Sequence, residues 1–418
     1  MLATVKAPRR LRGTVRVPGD KSISHRALIL NAVADGTAVI ENLATGEDVK
    51  ATARCLRELG VPVSSDGLVE GVGLRGLRPP GTPLDCGNSG TTMRLLAGLL
   101  AGQRFEAVLV GDESLSRRPM ERIAEPLRLM GADVQPGPPL RVRGGHLRGA
   151  SFEMAVPSAQ VKSCLLLAGL QAEGSTRVVE PVRTRDHTER MLAAMSAPIR
   201  VDGPAVEISC VERLQPLSVR VPGDLSAAAL WIAAAAVHPD ARIELPDVGV
   251  NPTRTAVLRL LPTGRAGERL VGGEPVATLT AATTSDLRPS ELSDVIAAEV
   301  IDELPVLAVV ATQLEGVTRI TGARELRVKE SDRVSAMAAG LSAMGAELEE
   351  LEDGWAIHGP VSLQGARVDG RGDHRVAMAL AVAGLLASGW TEIDGAESVA
   401  ISYPGFWDDL EAVCSGSG

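Results

Sequence analysis

Val17-Pro18-Gly19-Asp20-Lys21-Ser22 returns 204 residues later as Val221-Pro222-Gly223-Asp224-Leu225-Ser226, close to half of the 418-residue chain. Both copies place an Asp, a strong helix N-cap type, just before an apolar, Ala/Leu-rich run. The same pattern recurs between and beyond them. Helix starts are expected at Asp20, Asn88, Ser158, Asp224, Asp302 and Asp373, spaced by 68, 70, 66, 78 and 71 residues. Each run ends in a turn (Gly36-Thr37, Gly102-Gln103, Gly174-Ser175, Pro239-Asp240, Gly316-Val317, Gly389-Trp390) that leads into a short strand. A second helix closes several units before a small-residue turn: Leu59-Gly60-Val61, Met130-Gly131-Ala132, Met195-Ser196-Ala197 and Met344-Gly345-Ala346. In the fourth unit, Pro262 is expected to end that helix early. Six units of strand, helix, strand, helix and one or two strands, grouped as two domains of three, is the economical α/β (α+β) architecture.

Composition narrows the partners. Hydrophobic residues at 45% and charged residues at 23% match an ordinary globular protein. Four Trp, one Tyr and three Phe provide few stacking platforms, and a net charge of −9 opposes phosphate neutralisation, so nucleic acid is not an expected partner. Cys55, Cys86, Cys164, Cys210 and Cys414 are odd in number and far apart, which suggests neither a disulfide framework nor a zinc site and fits a reduced cytoplasm. The longest apolar runs, Ala227–Val237 and Val376–Ala387, fall short of the roughly 20 residues that cross a bilayer and are expected as buried core helices. No apolar stretch follows Lys6, Arg9, Arg10 and Arg12, so no export signal and no membrane contact are expected.

Helix N-termini favour anions through free amides and the macrodipole, so six equivalent starts are the place to seek chemistry. The first carries Lys21, Ser22 and Arg26; the second is the Gly-flanked Gly87-Asn88-Ser89-Gly90-Thr91-Thr92-Met93-Arg94; the third is Ser158-Ala159-Gln160. The fifth is Ile301-Asp302-Glu303-Leu304-Pro305 and the sixth Gly372-Asp373-His374-Arg375. The fourth, Asp224-Leu225-Ser226, has no cation and is expected to be only a cap or hinge. Two further charge clusters stand out: Ser114-Leu115-Ser116-Arg117-Arg118-Pro119 and Leu326 to Arg333. In the latter, an i,i+4 spacing is expected to put Lys329 and Arg333 on one helical face with Glu330 between them. A carboxylate among cations suits proton transfer beside an anionic substrate.

At these stretches, together with Thr184-Arg185-Asp186-His187-Thr188-Glu189, Asn251-Pro252-Thr253-Arg254-Thr255 and Ser402-Tyr403-Pro404-Gly405-Phe406, the sequence resembles the 5-enolpyruvylshikimate-3-phosphate (EPSP) synthase family over essentially its whole length. The resemblance implies two inside-out α/β barrel domains, each of three βαβαββ repeats, closing over a cleft. One domain would span 16–221 and the other 1–15 with 222–418, joined by hinge strands near 14–19 and 218–223. It implies transfer of the enolpyruvyl group of phosphoenolpyruvate to the 5-hydroxyl of shikimate 3-phosphate by a cytoplasmic monomer without a metal or other cofactor. Carried over by position, Lys21, Ser22, Arg26, Ser158, Ala159, Gln160, Arg185, Asp302 and Lys329 would bind shikimate 3-phosphate. Lys21, Gly90, Arg118, Gln160, Arg333 and Arg375 would bind phosphoenolpyruvate, and Asp302 and Glu330, with Lys21, would be catalytic.

Some positions depart from the family pattern. Ala159 stands where many relatives have a second Ser, and Ile401 where some have a Lys. Gly90 is expected to leave room for glyphosate, which competes with phosphoenolpyruvate in this family. The alternatives are a UDP-N-acetylglucosamine enolpyruvyl transferase, whose Lys-Asn signature is replaced here by Lys21-Ser22, and a non-catalytic anion-binding repeat protein.

Overall fold

Four of the six expected helix caps form as the residue types dictate in the computed structural model, which describes residues 1–416. The residues 417–418 at the end of the expected second domain lie outside the described residues. Asp20 accepts from Ile23 N at 2.9 Å, Ser158 from Val161 N at 3.4 Å, Asp224 from Ser226 N at 2.7 Å and Asp373 from Arg375 N at 2.9 Å. The other two starts are displaced by one residue. Ser89 rather than Asn88 caps the second helix, and Glu303 rather than Asp302 precedes the fifth. Both displaced residues keep their side chains for other partners.

The chain divides into two compact units. One comprises Gly19–Val221 with Leu270–Glu274; the other comprises Met1–Pro18, Pro222–Arg269 and the described chain from Pro275 onward. The chain thus changes unit within each copy of the repeated Val-Pro-Gly-Asp. Gly19 is required there, because a Cβ on it would lie 1.9 Å from the Asn42 carbonyl oxygen.

In the unit built on Gly19–Val221, three helices, Lys21–Ala32, Gly90–Ala101 and Ala159–Gly169, are buried on nearly every side. Such all-round burial requires apolar or small residues around the whole circumference rather than along one stripe. Close approach does the rest: a Cβ on Gly98 would lie 2.1 Å from Cys164 O, so only Gly lets those two helices touch. The sheets lie outside this bundle. The sheet of the second repeat, for example, orders its strands Leu84–Asp85, Glu106–Val110, Leu140–Arg143 and Asp133–Gln135, with the first pair parallel and the others antiparallel. The amphipathic second helices, Glu47–Glu58 and Glu121–Met130, keep an exposed charged face.

The other unit repeats the plan. Its inner helices are Leu225–Val237, Leu304–Ala311 and His374–Gly384; the first contains the apolar run Ala227–Val237, and the last takes up the run Val376–Ala387 only as far as Gly384. No helix among the described residues is long and apolar enough to cross a membrane. The N-terminal strand Leu2–Lys6 pairs antiparallel with Trp390–Asp394, and Leu11–Thr14 pairs parallel with Ala241–Gly249, so the start of the chain completes sheets of the sixth and fourth repeats. Pro262 acts as expected: the fourth repeat's second helix is only Ala256–Leu260. Tyr403 and Phe406, from one of the motif stretches, are core residues that pack with Trp231.

The turn after the second helices has one backbone geometry. Gly60, Gly131, Ser196 and Gly345 have φ of 85°, 110°, 64° and 84°, the left-handed region that Gly enters without a side-chain penalty.

Candidate active site

In the first unit described above, the inner helices begin with the cations that the sequence singled out. Lys21, in the first turn after Asp20, bonds Asp48 Oδ2 at 3.0 Å. Arg26, one turn further, is buried and donates from Nε to Thr188 Oγ1 at 2.7 Å, from Nη2 to Ser163 Oγ at 2.8 Å and from Nη1 to Ser22 O at 2.9 Å. Burial, partly offset by Glu189, pushes its guanidinium down to about 10, which still leaves it charged at neutral pH. Arg185 reaches Ser22 Oγ at 3.4 Å.

The second and third helix starts are tied together. Arg94 Nη1 donates to Gln160 Oε1 at 2.5 Å, and Gln160 Nε2 donates to Thr91 Oγ1 at 2.9 Å. Asn88, released from capping, accepts from Arg118 Nη2 at 2.6 Å and donates to Asp112 Oδ2 at 2.6 Å. Gly90 lies under this group: a Cβ there would stand 2.8 Å from Arg94 Nη1 and 3.2 Å from Arg118 Nη1. Ala159 opens the third helix directly after Ser158. Lys21, Ser22, Arg26, Gly90, Arg118, Ser158, Gln160 and Arg185 are therefore carried on the starts of three inner helices and the loops beside them. Helix N-termini and guanidinium groups together favour doubly charged anions.

In the other unit, Arg333 is the centre. It is 1% exposed, and its Nε donates to the fully buried Asp373 at 2.8 Å, its Nη2 bonds Glu330 Oε2, and its Nη1 lies 3.6 Å from Asp302 Oδ1. Burial opposes its charge, but Asp373, Glu330 and Asp302 together hold the guanidinium protonated well above its ordinary value. Arg375 Nη1 donates to Asp302 O at 2.9 Å, and its Nη2 lies 3.6 Å from Asp302 Oδ2. Asp302 and Glu330, each 12% exposed, thus sit on either side of one buried cation, suited to hand a proton to or from a bound molecule.

The expected shared helical face of Lys329 and Arg333 does not form. Residues Arg324–Val328 make a 3₁₀ turn, Lys329 follows it in a bend, and the helix begins only at Arg333, because Asp332 caps it by accepting from Ser335 N at 3.0 Å. Glu330 nevertheless reaches Arg333 across that cap.

Three residues that the sequence did not mark as partners complete the arrangement: Asp48 on Lys21, Arg94 on Gln160, and Asp373, expected only as a helix cap, on Arg333. Arg94 was detectable as the i+4 neighbour of Gly90; nothing local marks the other two as partners. Asp224 caps its helix. Arg254, from the Asn-Pro-Thr-Arg stretch, bonds Ser226 Oγ at 2.5 Å and Glu303 at 3.3 Å in a buried trio.

Two inner bundles of helices with sheets outside them define the enolpyruvyl transferase fold. The chain is similar to the enolpyruvyl transferase NikO from Streptomyces tendae (TM-score 0.79, 20% identity, 99% of this chain and 97% of that chain), a likeness of fold alone. It is also similar to the EPSP synthase of Acinetobacter baumannii (TM-score 0.87, 41% identity, 99% and 98% covered). The model of the family EPSP synthase (3-phosphoshikimate 1-carboxyvinyltransferase) matches residues 5–410. The 3-phosphoshikimate 1-carboxyvinyltransferases of Parasynechococcus marenigrum (strain WH8102) and Roseiflexus sp. (strain RS-1) are 50% and 49% identical to this chain, covering 97% and 99% of it and 96% and 99% of their own lengths. The chain belongs to the EPSP synthase family.

Proposed function

We propose that this protein is a 3-phosphoshikimate 1-carboxyvinyltransferase that transfers the enolpyruvyl group of phosphoenolpyruvate to the 5-hydroxyl of shikimate 3-phosphate and releases phosphate. The observation that supports it best is the pair of carboxylates, Asp302 and Glu330, held on the buried Arg333. The reaction needs such a pair. The 5-hydroxyl loses a proton as its oxygen bonds C2 of phosphoenolpyruvate, and C3 gains one, giving a tetrahedral intermediate. That proton is then withdrawn from C3 as the C–O bond to phosphate breaks and the double bond returns.

Lys21, Ser22, Arg26, Ser158, Ala159, Gln160, Arg185, Asp302 and Lys329 are assigned to shikimate 3-phosphate, with Arg26 on its carboxylate and Ser158 and Arg185 on its phosphate. Lys21, Gly90, Arg118, Gln160, Arg333 and Arg375 are assigned to phosphoenolpyruvate. Two carboxylates and two phosphates call for many cations, and a dry site strengthens each contact. With Ala159 in place of a hydroxyl, either the backbone N–H at that helix start or Arg185 would supply the missing phosphate contact. The proposal includes a monomer working in the cytoplasm without a metal or redox cofactor.

The test is phosphate release from phosphoenolpyruvate. Release that depends on shikimate 3-phosphate supports the assignment. Release that depends on UDP-N-acetylglucosamine, or none with either acceptor, overturns it.

A further inference from the structure

One helix, Ala159–Gly169, carries two polar residues deep in its unit: Lys162 and Ser163, each 1% exposed. Lys162 Nζ bridges two buried carboxylates, Glu180 Oε2 at 2.7 Å and Glu189 Oε1 at 2.6 Å. Glu180 in turn accepts from the Thr184 hydroxyl and from Thr184 N at 3.4 Å, so it closes the loop that ends at Arg185. Glu189 follows Thr188, one of the two hydroxyls that receive Arg26.

The proton directions around Arg26 are determined, because a guanidinium only donates. Thr188 Oγ1 and Ser163 Oγ therefore both accept from Arg26. Ser163 Oγ donates to Ala159 O at 2.6 Å, which uses its single proton, so Thr188 must donate to Ser163 across their 2.7 Å contact. Arg26 is left with one N–H on each terminal nitrogen after Nη1 bonds Ser22 O. That is the pair a carboxylate takes in a bidentate contact.

Removing the water from three charges is expensive, and apolar side chains at 162, 180 and 189 together would fill the same space without that cost. A buried triad of this kind therefore serves geometry better than stability. We propose that Lys162 and Ser163, with Glu180, Thr184, Thr188 and Glu189, are positioning residues that set the direction of two cations, Arg26 through the Ser163–Thr188 hydroxyl pair and Arg185 through the Lys162–Glu180–Thr184 link. The inference rests on the assignment of Arg26 and Arg185 to shikimate 3-phosphate. It makes the helix that opens with Ser158 and Gln160 the common support for that substrate's carboxylate and phosphate contacts.

The test is steady-state kinetics with each substrate varied in turn, on full-length Ser163→Ala, Thr188→Val and Thr184→Val, with thermal melting alongside. Each variant is expected to raise KM for shikimate 3-phosphate about tenfold while KM for phosphoenolpyruvate changes less than twofold, the signature of lost ground-state binding. Thr188→Ser and Thr184→Ser, which restore the hydroxyls, are expected to return KM to the wild-type value. Lys162→Met adds the buried charge to the series, and Thr184→Val reads the same link should Lys162→Met not fold. Arg26→Ala and Arg185→Ala separate the two levels. If neither of these raises KM for shikimate 3-phosphate, the substrate assignment is wrong. If both do while the hydroxyl variants leave it unchanged, or shift both KM values and melting together, the positioning role is wrong.

Discussion

Arg333 and Asp373, 40 residues apart, meet in the core of one unit with Nε 2.8 Å from Oδ2, and the same carboxylate group caps the helix that carries Arg375 through its other oxygen. One residue therefore neutralises a buried cation and starts a helix. Asp373→Ala is expected to remove both contacts, lowering stability by about 3 kcal/mol, the scale for breaking a buried pair. Asp373→Asn, which keeps the cap acceptor, is expected to melt higher than Asp373→Ala yet still raise KM for phosphoenolpyruvate. Thermal melting and initial rates on the two variants check this.

Asp302 and Glu330 face that cation with 12% of each side chain exposed, so their amides are expected to lower melting, but by less than Asp373→Ala does. Turnover is a different matter. Asp302→Asn and Glu330→Gln are each expected to reduce kcat by about 10²–10⁴, the range for a lost general acid or base. Retention of kcat in either variant would remove that residue from the proton-transfer pair.

Gly90 has no room for a Cβ unless Arg94 or Arg118 yields, and both contacts are the far ends of flexible side chains. Gly90→Ala is therefore expected to fold normally. Its KM for phosphoenolpyruvate should rise several-fold and its inhibition by glyphosate should weaken more. Inhibition curves on both proteins decide the point; equal inhibition of the two would sink the idea.

His25 is buried with Nδ1 2.7 Å from Thr52 Oγ1, and burial, then Lys21 and Arg26, hold its imidazole well below its ordinary 6.5. The sign follows from proton counting. Below pH 6.5 the unfolded chain binds a proton at this residue that the folded one refuses, so stability falls as pH drops, by up to about 1.4 kcal/mol per pH unit. Melting from pH 8 to 5 is expected to be flatter below pH 6.5 in His25→Gln than in the wild type, whatever its absolute stability.

Ser196 occupies the turn position that Gly fills in three other repeats, with φ of 64° and an exposed side chain. A non-glycine residue in that region costs about 1–2 kcal/mol, and the extra freedom of glycine in the unfolded chain returns about half of it. Ser196→Gly is expected to raise the melting temperature by one or two degrees, the scale for about 0.5 kcal/mol, and Ser196→Val to lower it. The reverse order would show that the turn is not limiting.

Much of this was legible along the chain because it is encoded locally. Six in-step Asp, Asn or Ser residues before apolar runs marked the inner helices within a residue, and Pro262 marked the short one. All-round apolar composition signalled burial of Leu225–Val237, and Gly after Met or Leu signalled the left-handed turns. The candidate cations were visible as residue types at those same starts.

What tertiary structure alone decided is which of these groups meet. Asn88 and Asp302 have the residue types of caps, yet packing gives the caps to their neighbours and turns Asn88 toward Arg118 and Asp302 toward Arg333 and Arg375. Lys329 and Arg333 have helical spacing, yet Asp332 starts the helix too late for them to share a face. Arg26 finds its acceptors 137 and 162 residues away. A cap or an apolar face depends on neighbours within about one helical turn, and so appears in the sequence. A contact between repeats depends on how two buried helices fit, and that fit is settled by steric packing over the whole core rather than by any short pattern.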